Sequence, residues 1–199
     1  MSETEQAPIP TAVFFSGGGR TLANLLDHQV AGTLPIEIRV AIASRSGLKG
    51  IKVAERAGVP CLVVPKHPGV SAADYQAAMF DPVRRRGCEL VVMAGFLKHV
   101  EIPTDLDGAV INIHPSLLPA FGGSGMYGAR VHEAVKRRGV QVTGCTVHLV
   151  DNVYDNGPIL LQRWCEVKPT DTPEQIAAKV FELECEALPA GIRRWIQQR

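Results

Sequence analysis

From Thr11 onward, short apolar runs with β propensity alternate with stretches of helical periodicity, and this alternation most limits the folds open to the chain. Thr11 to Phe15 (TAVFF) reads as a strand ending in Ser16-Gly17-Gly18-Gly19, and Leu22, Leu25 and Leu26 then share one face of a helix over 21–29. The same reading predicts strands at 36–43, 61–64, 90–94 and 110–114, and helices at 48–57, 71–86 and 129–138. Pro82 is expected to kink or interrupt the third of these helices. The uninterrupted LVVMA at 90–94 suits a strand covered on both faces. Strands at 140–150 and 159–167 surround the turn Asp155-Asn156-Gly157-Pro158, which is too short for a helix, so they should pair antiparallel. A last helix runs from Thr172 to the end, with Asp171 or Thr170 as its cap.

These elements predict an α/β, Rossmann-like fold: a mostly parallel sheet flanked by helices, with antiparallel strands at the C-terminal side. Residues 1–10 read as a short flexible tail and 11–199 as one domain. Lys and Arg total 21 against 20 for Asp and Glu, a net charge of +1, which offers nothing to attract nucleic acid. With 46% hydrophobic and 21% charged residues the composition is that of a globular protein, and no apolar run reaches the roughly 18–20 residues of a membrane helix. The five cysteines (Cys61, Cys88, Cys145, Cys165, Cys185) include no CxxC pair, which argues against a thiolate zinc site. Their odd number and the absence of an apolar leader at the start suggest a reducing, cytoplasmic setting. The basic clusters at 84–86, 136–138 and 193–194 fall near predicted helix C-termini, where positive charge complements the helix dipole.

Four segments have side chains or glycines suited to chemistry. Ser16-Gly17-Gly18-Gly19-Arg20-Thr21, between a strand and a helix, fits a phosphate: glycines admit close backbone approach, the helix start presents free amides and Arg20 adds charge. The dinucleotide fingerprint fails at Leu22 and there is no GK[ST], so a tight turn of small residues is an equal alternative. Asn112 and His114, two apart on a strand that should end at Pro115, project from one face at its C-terminal edge. An amide donor beside a titratable ring suits addition to a carbonyl; the alternative is a buried pair satisfied by backbone. The acidic loop 151–158 is either a plain turn or brings a carboxylate to His114, 41 residues upstream of Asp155, and His148 reads as core or support. Phe121 to Gly128, with four glycines in eight residues, is a lid or a connector.

In combination, Asn112-Ile113-His114-Pro115-Ser116-Leu117-Leu118-Pro119, then Gly144-Cys145-Thr146-Val147-His148, then Asp155-Asn156-Gly157-Pro158-Ile159-Leu160-Leu161-Gln162 resembles the ordered signature of the folate-dependent formyltransferases, in particular those of purine biosynthesis. Ala94-Gly95-Phe96-Leu97 and Glu184 match as well, and the likeness runs from about Ala12 to Trp195. It implies the formyltransferase fold and formyl transfer from 10-formyltetrahydrofolate, as co-substrate, to the amine of glycinamide ribonucleotide, with no metal. By position, Asn112 and His114 would polarise the formyl oxygen and Asp155 would hold His114 charged and assist proton transfer. Phe96, Leu97, Lys98 and Val100, with Val150, Asp151 and Asp155, would frame the folate. Gly17, Gly18, Gly19, Arg20 and Thr21 would grip the ribose phosphate, and Glu184 would accept from ribose hydroxyls.

Such enzymes commonly continue the glycine turn as Gly-Ser-Asn or Gly-Thr-Asn, where this chain has Gly19-Arg20-Thr21. Many also carry a phosphate-binding arginine near the third helix, where this chain has Ser71-Ala72-Ala73-Asp74; Arg20 is expected to replace that charge. Lys98-His99-Val100 stands for the commoner Arg-Ile-Leu, and the insertion Gly-Gly-Ser-Gly-Met-Tyr-Gly resembles one subgroup. The expected partners are the two small-molecule substrates, without nucleic acid or membrane; a homodimer is left open. A formyltetrahydrofolate hydrolase and a non-catalytic folate- or phosphometabolite-binding relative stand as alternatives.

Overall fold

The computed structural model describes residues 7–199. The chain forms two compact units, one ending at Leu106 and the other spanning Asp107–Arg199.

The first unit contains β1 (Ile9–Phe15), α1 (Arg20–Val30), β2 (Ile36–Ala43), α2 (Lys49–Arg56), β3 (Cys61–Val63), α3 (Ala72–Arg85) and β4 (Leu90–Met93). Its strands lie in the order β3-β2-β1-β4, and every pair is parallel. Val13, Phe14, Phe15, Leu22, Leu25, Met79 and Phe80 are fully buried, and burial of such side chains contributes about 1.5–3 kcal/mol each. β1 begins at Ile9, before the expected Thr11, because Ile9 and Pro10 continue the ladder opposite Ile36 and Glu37. The predicted tail therefore loses residues 9 and 10 to the sheet, and its residues 1–6 lie outside the described residues. Pro82 does not interrupt α3, which continues to Arg85. A proline removes one hydrogen bond of the helix, and Tyr75, Met79, Phe80 and Val83 bury the face that holds the turns on either side.

The second unit contains β5 (Val110–His114), α4 (Ala129–Arg138), β6 (Val142–Leu149), β7 (Ile159–Glu166) and α5 (Pro173–Gln197). Its strands run β5-β6-β7 and both pairs are antiparallel. The α/β architecture thus has parallel strands first and antiparallel strands last, as the sequence pattern predicts. α5 seats on β6 at Gly191, where an added Cβ would lie 2.5 Å from the Val147 side chain. The cap of α5 is neither Asp171 nor Thr170 but Thr172, whose hydroxyl accepts from the Gln175 amide while the Gln175 side chain accepts from the Thr172 amide. Asp171 is occupied elsewhere, accepting from the Lys168 amide at 2.8 Å and from Lys179 Nζ at 2.5 Å.

Along the outer side of β7, Arg194 donates to the Leu160 carbonyl (2.9 Å), Arg163 to that of Gln162 (3.3 Å) and Lys179 to that of Glu166 (3.4 Å). As expected, basic residues stand near the ends of these helices: Arg84 and Arg85 in the last turn of α3, Lys136, Arg137 and Arg138 in that of α4, and Arg194 in that of α5. Among the described residues no helix is long and apolar enough to cross a membrane.

Candidate active site

The antiparallel register of β5 and β6 sets Asn112 opposite His148 and His114 opposite Thr146. His148 is 1% exposed and makes two contacts that fix its state. Nδ1 lies 2.8 Å from the Leu149 carbonyl, which can only accept, so Nδ1 carries the proton; Nε2 then accepts from Asn112 Nδ2 at 3.1 Å. Burial pushes the His148 pKa down, in keeping with this neutral ring. The pairing orients the Asn112 carboxamide and leaves its second N–H free of the ring.

His114 is also buried. Nε2 lies 2.9 Å from the Phe121 carbonyl and must donate to it, which leaves Nδ1 facing Asp155 Oδ1 at 3.5 Å. Asp155 Oδ2 accepts from the Gly123 amide at 2.8 Å, and Oδ1 lies 3.8 Å from His148 Nε2. The predicted trio Asn112, His114 and Asp155 therefore converges. The glycine segment is not a free connector at its start, since the Phe121 carbonyl holds the histidine and the Gly123 amide holds the carboxylate. Between them a Cβ on Gly122 would collide with the Leu118 side chain and lie 3.3 Å from Asp155 Cβ. Phe121 (φ 56°) and Asp155 (φ 53°) are the described non-glycine residues in the left-handed region, so both unfavourable conformations fall at this site.

A hydrogen-bonded brace fixes the segment after His114. Thr146 Oγ1 accepts from the Leu118 amide (3.0 Å) and donates to the Ser116 carbonyl (2.7 Å), while Gln162 Nε2 donates to the Leu118 carbonyl (3.0 Å). Thr146 and Gln162 were not among the expected site residues. The signal available for Thr146 is its place two residues before His148, on the same face of β6. His132 on α4 is buried and electrostatically coupled to His114, and burial lowers its pKa.

In the first unit, the turn after β1 and the loop after β4 are stitched together: Ser16 N donates to the Gly95 carbonyl and Leu97 N to Ser16 Oγ, both at 3.0 Å. Gly19 (φ 78°) is required by packing, since a Cβ there would lie 2.5 Å from Gly50 Cα. Gly17 and Gly18 are exposed with nothing within 4 Å of an added Cβ, so no contact in the described structure demands glycine there. Arg20 is exposed at the start of α1 and Thr21 is half-buried beside it. Phe96 packs edge-on against Phe14 with centroids 5.6 Å apart, Leu97 and Lys98 are exposed, and Val100 is buried. In the second unit Val150 and Asp151 are half-buried, and Glu184 stands half-buried on α5 near Cys145. Burial, and then the Glu184 charge, push the Cys145 thiol up to about 12. The described residues contain no group of three or more His, Cys, Asp or Glu able to hold a metal ion.

Against known families, residues 10–192 match the model described as formyl transferase. The chain belongs to the formyl transferase family. A curated relative, the chloroplastic phosphoribosylglycinamide formyltransferase of Vigna unguiculata, is 38% identical over 175 residues, covering 87% of this chain and 56% of its own length. The chain thus spans little more than half of that relative. Glycinamide ribonucleotide transformylase 1 from Symbiobacterium toebii superposes with a TM-score of 0.87 at 34% identity, covering 94% of this chain and 86% of that structure. A formyltetrahydrofolate deformylase from Pseudomonas syringae superposes with a TM-score of 0.85 at 26% identity, covering 98% of this chain and 63% of that structure. The fold is that of the formyl transferases.

Proposed function

We propose that this formyl transferase moves the formyl group of 10-formyltetrahydrofolate to the amine of glycinamide ribonucleotide, a step of purine biosynthesis. The observation that carries the reading is the convergence of Asn112, His114 and Asp155, with relatives whose names state that activity. The amine nitrogen attacks the formyl carbon, forming a C–N bond and a tetrahedral oxyanion. The free N–H of Asn112 and Nδ1–H of the protonated His114 donate to that oxygen. Asp155, beside the ring, takes the amine proton, directly or through water; collapse then breaks the bond to N10 as that same proton passes to the leaving nitrogen. The products are the formylated amine and tetrahydrofolate, so atoms and charge balance. The Nε2 contact with the Phe121 carbonyl supports Nδ1 as the working nitrogen.

Gly17 and Gly18 would present backbone amides to the ribose phosphate with Arg20 and Thr21 beside them, supported by the room above those glycines. Arg20 would replace the positive charge absent at 71–74. Glu184 would accept from the ribose hydroxyls. The 96–100 loop and residues 150, 151 and 155 would frame the folate through backbone polar groups and apolar side chains. The reading implies a cytoplasmic enzyme whose partners are its two small-molecule substrates and whose chemistry needs no metal.

The deformylase match favours a second reading, in which water replaces the amine. Incubating the purified protein with 10-formyltetrahydrofolate, with and without glycinamide ribonucleotide, separates the two. Amine-dependent loss of formyl supports transfer. Amine-independent loss establishes hydrolysis, and saturable binding without turnover overturns both.

A further inference from the structure

Asp155 reaches His114 from a left-handed backbone conformation that residues with a side chain seldom adopt, so some other contact must hold it there. The Asp151 carboxylate spans the turn: Oδ1 accepts from the Val153 amide and Oδ2 from Asn156 Nδ2, both at 2.8 Å. These bonds close residues 151–156 into a ring that contains Asp155. On the far side Gly157 abuts the Leu149 carbonyl too closely for any Cβ, and Leu149 N donates to the Pro158 carbonyl at 2.9 Å, so the base of the ring is fixed. Asn156 is exposed, its side-chain amide donates to Asp151, and the proposed chemistry gives it no task.

We infer that Asn156 is a positioning residue: its bond to Asp151 closes the turn and holds the Asp155 carboxylate on His114 Nδ1 and the Gly123 amide. Opening the ring lets residue 155 relax toward ordinary φ values, which carries the carboxylate away from the imidazole. The kinetic consequence rests on the proposed formyl transfer; the geometric one does not.

The test is a reciprocal exchange in the full chain. Asn156→Ala removes the donor and Asn156→Asp sets two carboxylates against each other, whereas in Asp151→Asn the Asn156 carboxamide can turn to accept from the new NH2 and keep the ring closed. In the double variant Asp151→Asn/Asn156→Asp, the carboxamide oxygen at 151 can still accept from Val153 while its NH2 donates to the new carboxylate at 156, restoring the ring with the roles reversed. Asn156→Ala and Asn156→Asp should each lower kcat roughly tenfold, as small misplacements of a reacting group do. The double variant should recover to within about threefold of the parent, a restoration that pairs of similar polarity can give only by coupling. The ring resonances of His114, whose Nδ1 faces Asp155, should shift in the Asn156 single variants and return in the exchange. A folded Asn156→Ala protein with kcat within twofold of the parent and unmoved His114 signals overturns the assignment, as does a double variant no better than the Asn156 singles. If the parent shows no formyl transfer, that reading falls while the His114 signals still decide the role of Asn156.

Discussion

The glycine turn after β1 and the Asn112–His114 pair on β5 both stand at the C-terminal end of a strand, yet they are built by opposite means. In the first unit the groups the proposal would offer to a ligand are backbone amides, at Gly17 and Gly18, which are exposed and have nothing within 4 Å of an added Cβ. In the second unit they are side chains, each clamped by a neighbour: Asn112 by His148, His114 by the Phe121 carbonyl, Asp155 by the Gly123 amide. Backbone amides at a helix start suit a phosphate that needs only to be held. Clamped side chains suit a centre where charge appears and must be met without rearrangement. On the proposed function, binding would fall to the first unit and turnover to the second, so damage in each should be read in different kinetic constants.

The largest effect should come from the clamped side chains. If Asn112 is the oxyanion donor of the proposed transfer, Asn112→Ala should lower kcat about 10²–10³-fold in a folded protein with little change in KM. Steady-state kinetics checks this, and near-normal turnover would remove Asn112 from the chemistry. A smaller effect belongs to the glycine turn. Arg20→Ala should raise KM for the phosphorylated amine about tenfold, equivalent to ~1.4 kcal/mol, and leave kcat within about twofold. A fall in kcat instead would erase the division between the units.

The smallest effect concerns stability and again separates the units. Burial lowers the pKa values of His132 and His148, both in the second unit, so their protonation favours the unfolded chain. The stability they contribute is complete above the ordinary histidine value of about 6.5 and declines as pH falls below it, by at most ~1.4 kcal/mol per pH unit for each ring. Asp105 and Asp171 are held below the usual carboxylate range by Arg84 and Lys179, so their losses come only at far lower pH. Urea unfolding at pH 7.5 and 5.5 should show the decline, and His148→Gln should flatten it. An unchanged slope in that variant would place the acid sensitivity elsewhere.

Features that depend on neighbouring residues were legible in the sequence. The bounds of β2, β5 and α4 follow from apolar runs and from Gly139, which ends α4 in the left-handed conformation. Asn112 and His114 share a face because strand geometry demands it. Pro82 misleads because the local rule for proline is outweighed by the buried face of α3. Asp171 resembles a cap, but its carboxylate is drawn to Lys168 and Lys179, a choice made eight residues downstream. The least legible contacts span a closed loop: Gly123 to Asp155 joins residues 32 apart, and nothing in the glycine run itself announces that one of its amides will hold a carboxylate. The tautomer of His148, which orients Asn112, likewise depends on a carbonyl whose direction only the folded backbone sets.

The three cationic side chains laid over the outer carbonyls of β7 have a consequence for how this molecule meets others of its kind. A foreign strand seeking to extend the array there meets Arg194, Arg163 and Lys179 already on the carbonyls of Leu160, Gln162 and Glu166. Trp164, 64% exposed on the same strand, thus stands between carbonyls that are already engaged.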